Sequence, residues 1–154
     1  MKTYRHIQGF SIRYPGNWEV RENLDFQGFK IPLILLEPLQ GAADNFQENV
    51  NVIIEKTSRP YSTDEYLKAS MENMKKSLNS FNALNSAAVQ SSGMTGKYLV
   101  YTHKVDQVPG LTKVIVFFYI KGTKAFDITC SSTEKEFDSH LKLFMEMGKS
   151  FQSI

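Results

Sequence analysis

The sequence is poor in three features, each of which would indicate a particular class of protein. It has a single cysteine, Cys130, so an internal disulfide is impossible. No apolar run approaches the roughly 20 residues that a membrane-spanning helix needs. Lys and Arg number 18 against 16 Asp and Glu, and a net charge of +2 is too small to favour a nucleic-acid or membrane-surface partner. These absences exclude a disulfide scaffold, a helical membrane protein and a strongly basic binding protein.

The rest of the composition is typical of a globular domain. The chain has 154 residues, of which 42% are hydrophobic and 22% charged. A domain of this length buries roughly 70% of the surface that its unfolded chain exposes, so it can fold without a metal or a disulfide. No internal repeat or linker is evident. We therefore predict one domain over residues 1–154.

Alternation of apolar and polar residues predicts antiparallel strands along most of the chain. A hairpin is expected over 4–7 and 10–14, since Phe10, Ile12 and Tyr14 alternate with polar residues. Further strands are expected over 18–21, 31–36, 50–54, 98–105, 111–120 and 126–130. The remaining segments are predicted as a polar loop over 22–30, an exposed loop over 38–48 and a weakly ordered stretch over 79–92, in which 83–89 could form a strand.

Two helices are predicted from capping boxes and apolar stripes. Ser62 with Glu65, and Thr133 with Glu136, have the spacing with which side chains satisfy the free N–H groups of a first helical turn. The apolar stripes comprise Leu67, Met71, Met74 and Leu78 in the first helix, and Phe137, Leu141, Phe144, Gly148 and Phe151 in the second. A glycine on a buried stripe predicts close approach of the second helix to a sheet. The order of elements indicates an α+β protein in which helices cover an antiparallel sheet.

Several short motifs occur in an order that resembles one known family. They are Gly9-Phe-Ser-Ile-Arg-Tyr-Pro-Gly-Asn-Trp18, Asn49-Val-Asn-Val52, Asp64-Glu-Tyr-Leu67, Gly96-Lys-Tyr-Leu-Val-Tyr101, Ala125-Phe-Asp-Ile-Thr129, Phe137-Asp138 and Ser150-Phe151. Each motif consists of core and turn residues, and together they span nearly the whole chain. The sequence thereby resembles the PsbP-like family, whose relatives include Ran-binding Mog proteins, LpqN-type lipoproteins and DcrB-type bacterial proteins.

The resemblance implies a fold more than a role. It implies an antiparallel β-sheet sandwiched between helices, the α-β-α sandwich of Mog and PsbP. Family members are mostly non-enzymatic: photosystem II subunits, Ran-binding factors, envelope lipoproteins, or DcrB/Eag-like chaperones for secreted proteins. We therefore expect a non-catalytic accessory or protein-binding domain, with a cytosolic chaperone of the Eag type as the alternative. The matched motifs belong to the scaffold, so the resemblance assigns no functional residue.

No residue pattern indicates catalysis, a cofactor or a metal. His6, His103 and His140 lack the clustered spacing of zinc ligands. Cys130 has no evident base beside it, which favours a buried structural thiol. A third functional alternative, a small-ligand carrier or hydrolase with a cleft between sheet and helix, depends on Tyr98, Tyr101, His103 and Tyr119 lying near one another.

One charge feature indicates a partner. Five lysines and one acid, Asp106, lie between positions 97 and 124, which gives this segment a net charge of +4. Lysines also keep sheet edges soluble, so a solvated edge is the alternative interpretation. We predict that an acidic protein would bind here, without nucleic acid. The partner-binding candidates are Lys97, Lys104, Lys113, Lys121 and Lys124.

The start of the chain leaves the compartment open. Met1 is followed by a strand-like segment, without a basic region and an apolar region of a secretory signal. A cytoplasmic location is expected if Met1 is the native start. A cell-envelope location, including that of a bacterial lipoprotein domain, is expected if a leader has been removed.

Overall fold

The computed structural model describes residues 1–41, 44–91 and 93–154, and these residues form ten strands and two helices. The strands are β1 (Lys2–His6), β2 (Phe10–Tyr14), β3 (Glu19–Phe26), β4 (Phe29–Leu36), β5 (Asn49–Lys56), β6 (Asn79–Ser91), β7 (Met94–Lys104), β8 (Thr112–Lys121), β9 (Lys124–Thr133) and β10 (Gln152–Ser153). The helices are α1 (Thr63–Ser77) and α2 (Phe137–Lys149). The loop predicted over 38–48 is confirmed where it is described, but its predicted exposure is wrong at Glu48, which is buried at the end of the loop; Ala42 and Ala43 lie outside the described residues.

The strands form two antiparallel sheets. The large sheet has the order β3-β4-β5-β9-β8-β7-β6, and the small sheet has the order β1-β2-β10. Helix α1 packs against β6, β7 and β8 on one face of the large sheet, while α2 packs on its other face and also contacts β2 of the small sheet. The predicted α+β architecture is confirmed. No local pattern predicts a separate small sheet, because the third strand of that sheet comes from the far end of the chain.

Strand β8 supplies core residues to both faces of the large sheet. Phe117 belongs to the cluster beneath α2, and Phe118 belongs to the cluster beneath α1. The close approach predicted from Gly148 is confirmed, because a Cβ atom added there would overlap the Phe117 ring. Tyr119 Oη also donates a hydrogen bond to the Gly148 carbonyl at 2.9 Å. Helix α2 is therefore held at a short distance from the sheet.

Only one of the two predicted capping boxes forms. Ser62 and Glu65 exchange both capping hydrogen bonds at 3.1 Å, which confirms the start of α1. The box predicted from Thr133 and Glu136 is wrong, since α2 begins at Phe137 and its N-cap, Glu136, makes no side-chain capping bond. Thr133 pairs with β8 as the last residue of β9, so its hydroxyl only accepts the Glu136 N–H across a turn at 3.3 Å.

A predicted loop and the stretch predicted as weakly ordered are strands, and the optional strand over 83–89 is confirmed within the second. Residues 22–26 continue β3 into a tight hairpin with β4, and Gly28 at φ +79° allows the turn. The stretch over 79–91 is the edge strand β6, which pairs with β7 along its length, and Ser92 lies outside the described residues. An edge strand turns few side chains to the core, so its composition is mostly polar. Pro32 precedes Leu33, where pairing of β4 with β5 begins, so its missing N–H costs no bond to β5.

Candidate functional site

Three lysines form a row across one end of the large sheet. Lys56 on β5 pairs with Lys124 on β9, and Lys124 pairs with Lys121 on β8. Directly opposite residues of antiparallel strands project to the same face, with Cβ atoms roughly 5 Å apart. All three side chains are exposed, and within the described ranges none forms an ion pair. Like charges placed opposite one another destabilise a sheet, so folding does not explain this lysine row.

Two carboxylates lie on the reverse face of the same strands. Side chains alternate along a strand, so Glu55 and Asp127 point away from the lysine row. Tyr66 of α1 holds them together, because its hydroxyl lies 2.8 Å from Glu55 Oε2 and 3.1 Å from Asp127 Oδ1. Burial raises the pKa of Asp127 to about 7, and the charge of Glu55 adds to the shift while the hydrogen bond from Tyr66 opposes it. This end of the sheet is thus positive on one face and acidic on the other.

A groove of about 530 Å³ begins beside Lys56. Leu24, Ile31 and Ile54 from three adjacent strands give it an apolar floor, and polar and charged residues, Asp25 and Lys30 among them, complete its lining. Ile7, in the turn between β1 and β2, forms one wall and is 94% exposed. The β1–β2 hairpin ends here, so this part of the large sheet is not covered by the small one. The groove therefore offers apolar contact next to positive charge.

Two exposed phenylalanines lie at the same end of the sheet. Phe26 and Phe29 pair across the β3–β4 hairpin and are 64% and 53% exposed. Leu33 of β4 pairs with Val52 of β5. Continuing this register by four residues along each strand places Phe29 level with Lys56. Large apolar residues grouped on a surface mark interaction sites more often than isolated ones do. We call the lysine row, the groove and these two rings the basic end.

The five lysines predicted from the sequence do not form one surface. Lys121 and Lys124 belong to the basic end, and Lys56, which the sequence analysis missed, completes their row. Lys113 lies eight residues from Lys121 on β8, roughly 26 Å away at the rise of a strand. Lys56 was missed because its neighbours depend on the register between β5 and β9, and 67 residues lie between these two strands in the chain.

The other three predicted lysines make local contacts. Lys97, on the α1 face, forms an ion pair with Asp64. The Lys104 ammonium donates to the carbonyls of Val108 and Gly110 and so closes a turn. The Lys113 ammonium lies 4.8 Å from the centre of the Phe137 ring. These contacts give the three lysines structural roles, and partner binding through them stays a prediction.

The predicted cleft of tyrosines and a histidine is wrong. Tyr98 and Tyr119 contact the core cluster beneath α2, whereas Tyr101 belongs to the cluster beneath α1. His103 lies two residues along β7 from Tyr101, and their rings are 5.6 Å apart. The four residues are therefore divided between opposite faces of the sheet. Tyr119 is also fully buried, so it cannot line an open cleft.

The histidines and the cysteine have separate surroundings. His6 Nε2 lies 3.0 Å from Asn23 Oδ1, which ties β1 to β3. Burial lowers the pKa of His103, and burial raises that of the Cys130 thiol, which confirms a structural cysteine. His140 Nε2 lies 2.8 Å from Glu37 Oε2, in a cluster that also contains Glu48. Within the described ranges, His140 is thus the one histidine that lies among carboxylates able to share a metal with it.

Solved structures share the fold at low sequence identity. CyanoP from Synechocystis matches at 15% identity with a TM-score of 0.71, covering 99% of this chain and 92% of that one. LpqN, described as involved in cell envelope biogenesis of Mycobacterium tuberculosis, matches at 12% identity with a TM-score of 0.71, covering 98% and 88%. A Pseudomonas aeruginosa protein of unknown function matches at 15% identity with a TM-score of 0.67, covering 97% and 94%. These likenesses establish the architecture alone.

Sequence comparison places the chain in a family. No curated protein matches it in sequence. No helix in the described parts of the chain has the length and apolar character needed to cross a membrane. The family described as PsbP-like protein matches residues 1–151, nearly the whole chain and all of the motifs on which the resemblance depended. The chain belongs to the PsbP-like family.

Proposed function

We propose that the protein is a non-catalytic accessory protein that binds an acidic partner protein through the basic end. The observation that carries this proposal is the lysine row, in which Lys56, Lys124 and Lys121 stand opposite one another without acidic partners among the described side chains. Glutamates or aspartates of a partner would relieve the repulsion within the row. PsbP-like proteins are mostly non-enzymatic, which supports an accessory role.

The neighbouring groove supports a protein as the partner. A nucleic acid would supply phosphates to the lysines, but it has no aliphatic side chain to contact Leu24, Ile31 and Ile54. Protein interfaces commonly combine an apolar anchor in a pocket with charges at the rim. The net charge of +2 is also small for a nucleic-acid-binding protein. We therefore favour an acidic polypeptide that carries at least one large apolar residue.

The groove also supports a second candidate function. A DcrB/Eag-like chaperone would shield an apolar segment of a secreted protein, and the exposed Ile7, Phe26 and Phe29 are suited to such contact. Binding of this kind would depend on the apolar residues and hardly on the lysines. The two candidates therefore differ in salt dependence and in the residues on which they depend.

The test is a charge reversal of the lysine row. The variant Lys56→Glu/Lys121→Glu/Lys124→Glu is compared with a matched control, Lys68→Glu/Lys75→Glu/Lys76→Glu, which changes three exposed lysines of α1. Each protein is used to capture partners from the native source at low and at moderate salt. We expect an acidic protein in stoichiometric amount with the parent and the control, and a loss of about tenfold or more with the lysine-row variant.

Direct titration identifies the chemistry of the bound molecule. The parent is titrated with a glutamate-rich peptide containing one phenylalanine, with vesicles of anionic lipid and with a single-stranded oligonucleotide, and NMR shifts are recorded. Shifts at the basic end with the peptide, weakened by salt, support the proposal. The proposal is overturned if the protein binds the vesicles or the oligonucleotide more tightly than the peptide. It is also overturned if the lysine-row variant still captures the partner. Capture that survives charge reversal but fails in Ile7→Ser/Phe29→Ser supports the chaperone instead.

A further inference from the structure

Two glutamates face one another where β4 and β5 leave the large sheet. Leu36 pairs with Asn49, and the backbone N–H of Glu37 donates to the Glu48 carbonyl at 2.9 Å, which extends the ladder by one pair. The two residues therefore close the base of the loop between β4 and β5. Two carboxylates opposite one another repel unless a positive charge lies between them.

Helix α2 brings an imidazole to these carboxylates. His140 Nε2 lies 2.8 Å from Glu37 Oε2, and ligand atoms of Glu37, Glu48 and His140 all lie within 4.8 Å of one another. The other ring nitrogen, Nδ1, lies 3.0 Å from the Glu136 carbonyl oxygen. A proton on Nδ1 satisfies that carbonyl, so loss of the proton from Nε2 would leave a lone pair directed at the two carboxylates.

Glu48 lacks a hydrogen-bond partner that its burial requires. Its side chain is only 2% exposed, and its Oε2 atom is buried without a hydrogen bond to any described residue. Buried carboxylates are normally paired, hydrogen-bonded or bound to a metal. The carboxylates of Glu37 and Glu136 are close enough to act on Glu48 electrostatically, so the surroundings are more negative than one imidazolium would balance. The cluster therefore has an excess of acceptors and of negative charge.

We infer that Glu37, Glu48 and His140 bind one divalent transition-metal ion of the Zn²⁺ type. Two carboxylate oxygens and one imidazole nitrogen are a ligand set that such ions accept. Bonds of roughly 2.0–2.2 Å place tetrahedral ligand atoms roughly 3.3–3.6 Å apart, so separations that begin at 2.8 Å and stay within 4.8 Å need only small adjustments. The hydrogen bond from His140 Nδ1 to a backbone carbonyl is the usual outer contact of a metal-bound histidine. Three protein ligands leave a position for water or for a group of a partner.

The ion would join α2 to the adjacent ends of β4 and β5. Glu37 follows β4, Glu48 precedes β5, and His140 lies on α2, 103 positions after Glu37 in the chain. Binding would replace the His140–Glu37 hydrogen bond with two metal bonds and give Glu48 Oε2 a partner. The site lies at the end of β5 opposite the lysine row, so this inference stands independently of the proposed function.

The test measures Zn²⁺ binding to the tag-free protein after removal of bound metal. Calorimetry with Zn²⁺ alone should give one ion per chain at micromolar concentrations, with Mg²⁺ and Ca²⁺ binding more weakly. Glu48→Gln and His140→Gln should each reduce the affinity at least tenfold. The matched controls His103→Gln and Glu134→Gln, which change residues outside the cluster, should bind as the parent does.

A second measurement separates binding from folding. Circular dichroism verifies that each variant is folded, and the visible absorption of bound Co²⁺ reports an imidazole and carboxylate environment directly. The parent spectrum should be lost in His140→Gln and kept in His103→Gln. Absence of stoichiometric Zn²⁺ binding to the folded parent overturns the inference. The cluster would then consist of a protonated Glu48 beside a His140–Glu37 ion pair. Equal loss of affinity in the control variants also overturns it.

Discussion

The two ends of β5 carry opposite charges, and they differ most in their access to water. Glu48 immediately precedes the strand and faces Glu37, while Lys56 is its last residue and faces Lys124. Eight residues separate Glu48 from Lys56, which is roughly 26 Å along a strand. Both ends place like charges opposite one another. The acidic end is buried under α2, whereas the basic end is exposed.

This difference in exposure determines what each end requires. Water and salt screen the exposed lysines, so their mutual repulsion costs only a few tenths of a kcal/mol per pair. A buried carboxylate without a partner costs several kcal/mol, because the interior does not solvate its charge. The basic end can therefore remain unpaired until a partner arrives. The acidic end needs a cation or a proton in the folded protein itself.

Moving α2 away from the sheet should affect the acidic end and leave the basic end intact. Gly148→Ala should destabilise the protein by about 2–3 kcal/mol, since the added methyl group overlaps the Phe117 ring and the core is already filled. Zn²⁺ binding should weaken with it, because α2 carries His140, while partner binding at the basic end is retained. Urea denaturation gives the change in the free energy of unfolding. Lys149→Ala, at the exposed neighbouring position, is the control, and equal stability of the two variants would contradict the prediction.

The reverse face of the basic end should make stability depend on pH. The pKa of Asp127 is raised by burial to about 7 in the folded protein and is near its ordinary value of roughly 4 in the unfolded chain. Between these values the unfolded chain is ionised while the folded protein holds the proton, so stability falls as pH rises from 4 to 7, by about 2 kcal/mol.

Asp127→Asn tests this assignment, because the amide keeps an acceptor for the Tyr66 hydroxyl and removes the charge. The variant should lose the part of the pH dependence that Asp127 contributes and be more stable than the parent at pH 7.5, while the raised pKa of Glu48 keeps a remaining slope. Denaturation series at several pH values measure it. Asp106→Asn, in an exposed turn, should leave the slope unchanged. A parent whose stability is flat between pH 4 and 7 would refute the role of Asp127.

The smallest expected effect concerns the lysine row itself. Lys124→Gln removes the middle charge and should stabilise the protein by about 0.5 kcal/mol at low salt, with the gain vanishing at high salt. Thermal denaturation at two salt concentrations measures it. Lys68→Gln on the exposed side of α1 provides the control. A loss of stability in Lys124→Gln would mean that the row is paired in solution and that the two ends are less different than the structure indicates.

Local patterns predicted those parts of the fold that depend on neighbouring residues. The β1–β2 hairpin, the Ser62 cap and the buried Gly148 each follow from residues within one turn or one helical stripe. The predictions failed where distant strands decide the outcome. Strand β6 is polar because it lies at a sheet edge, and Thr133 remains in β9 because β8 pairs with it.

The candidate sites were harder to predict for the same reason. The lysine row depends on the registers that align β5, β9 and β8, and its member Lys56 lies outside the segment in which the excess charge is evident from the sequence. The acidic cluster depends on a ladder extended past Leu36 and on an α2 residue, His140, far along the chain. Residue spacing in the sequence does not determine how these distant strands are aligned, so the sites become evident only in the three-dimensional structure.

The pairing of β10 with β2 constrains the order of events during synthesis. Ser153 pairs with Phe10, and the N–H of Ile154 donates to the Gly9 carbonyl at 2.7 Å. The small sheet therefore cannot be completed until residues 152–154 have left the ribosome, although its hairpin emerges first. The rings of Phe10 and Phe151 lie 5.6 Å apart, and this contact also forms only after Phe151 has been synthesised. A chain shortened before Gln152 should thus begin folding normally but fail at its last step.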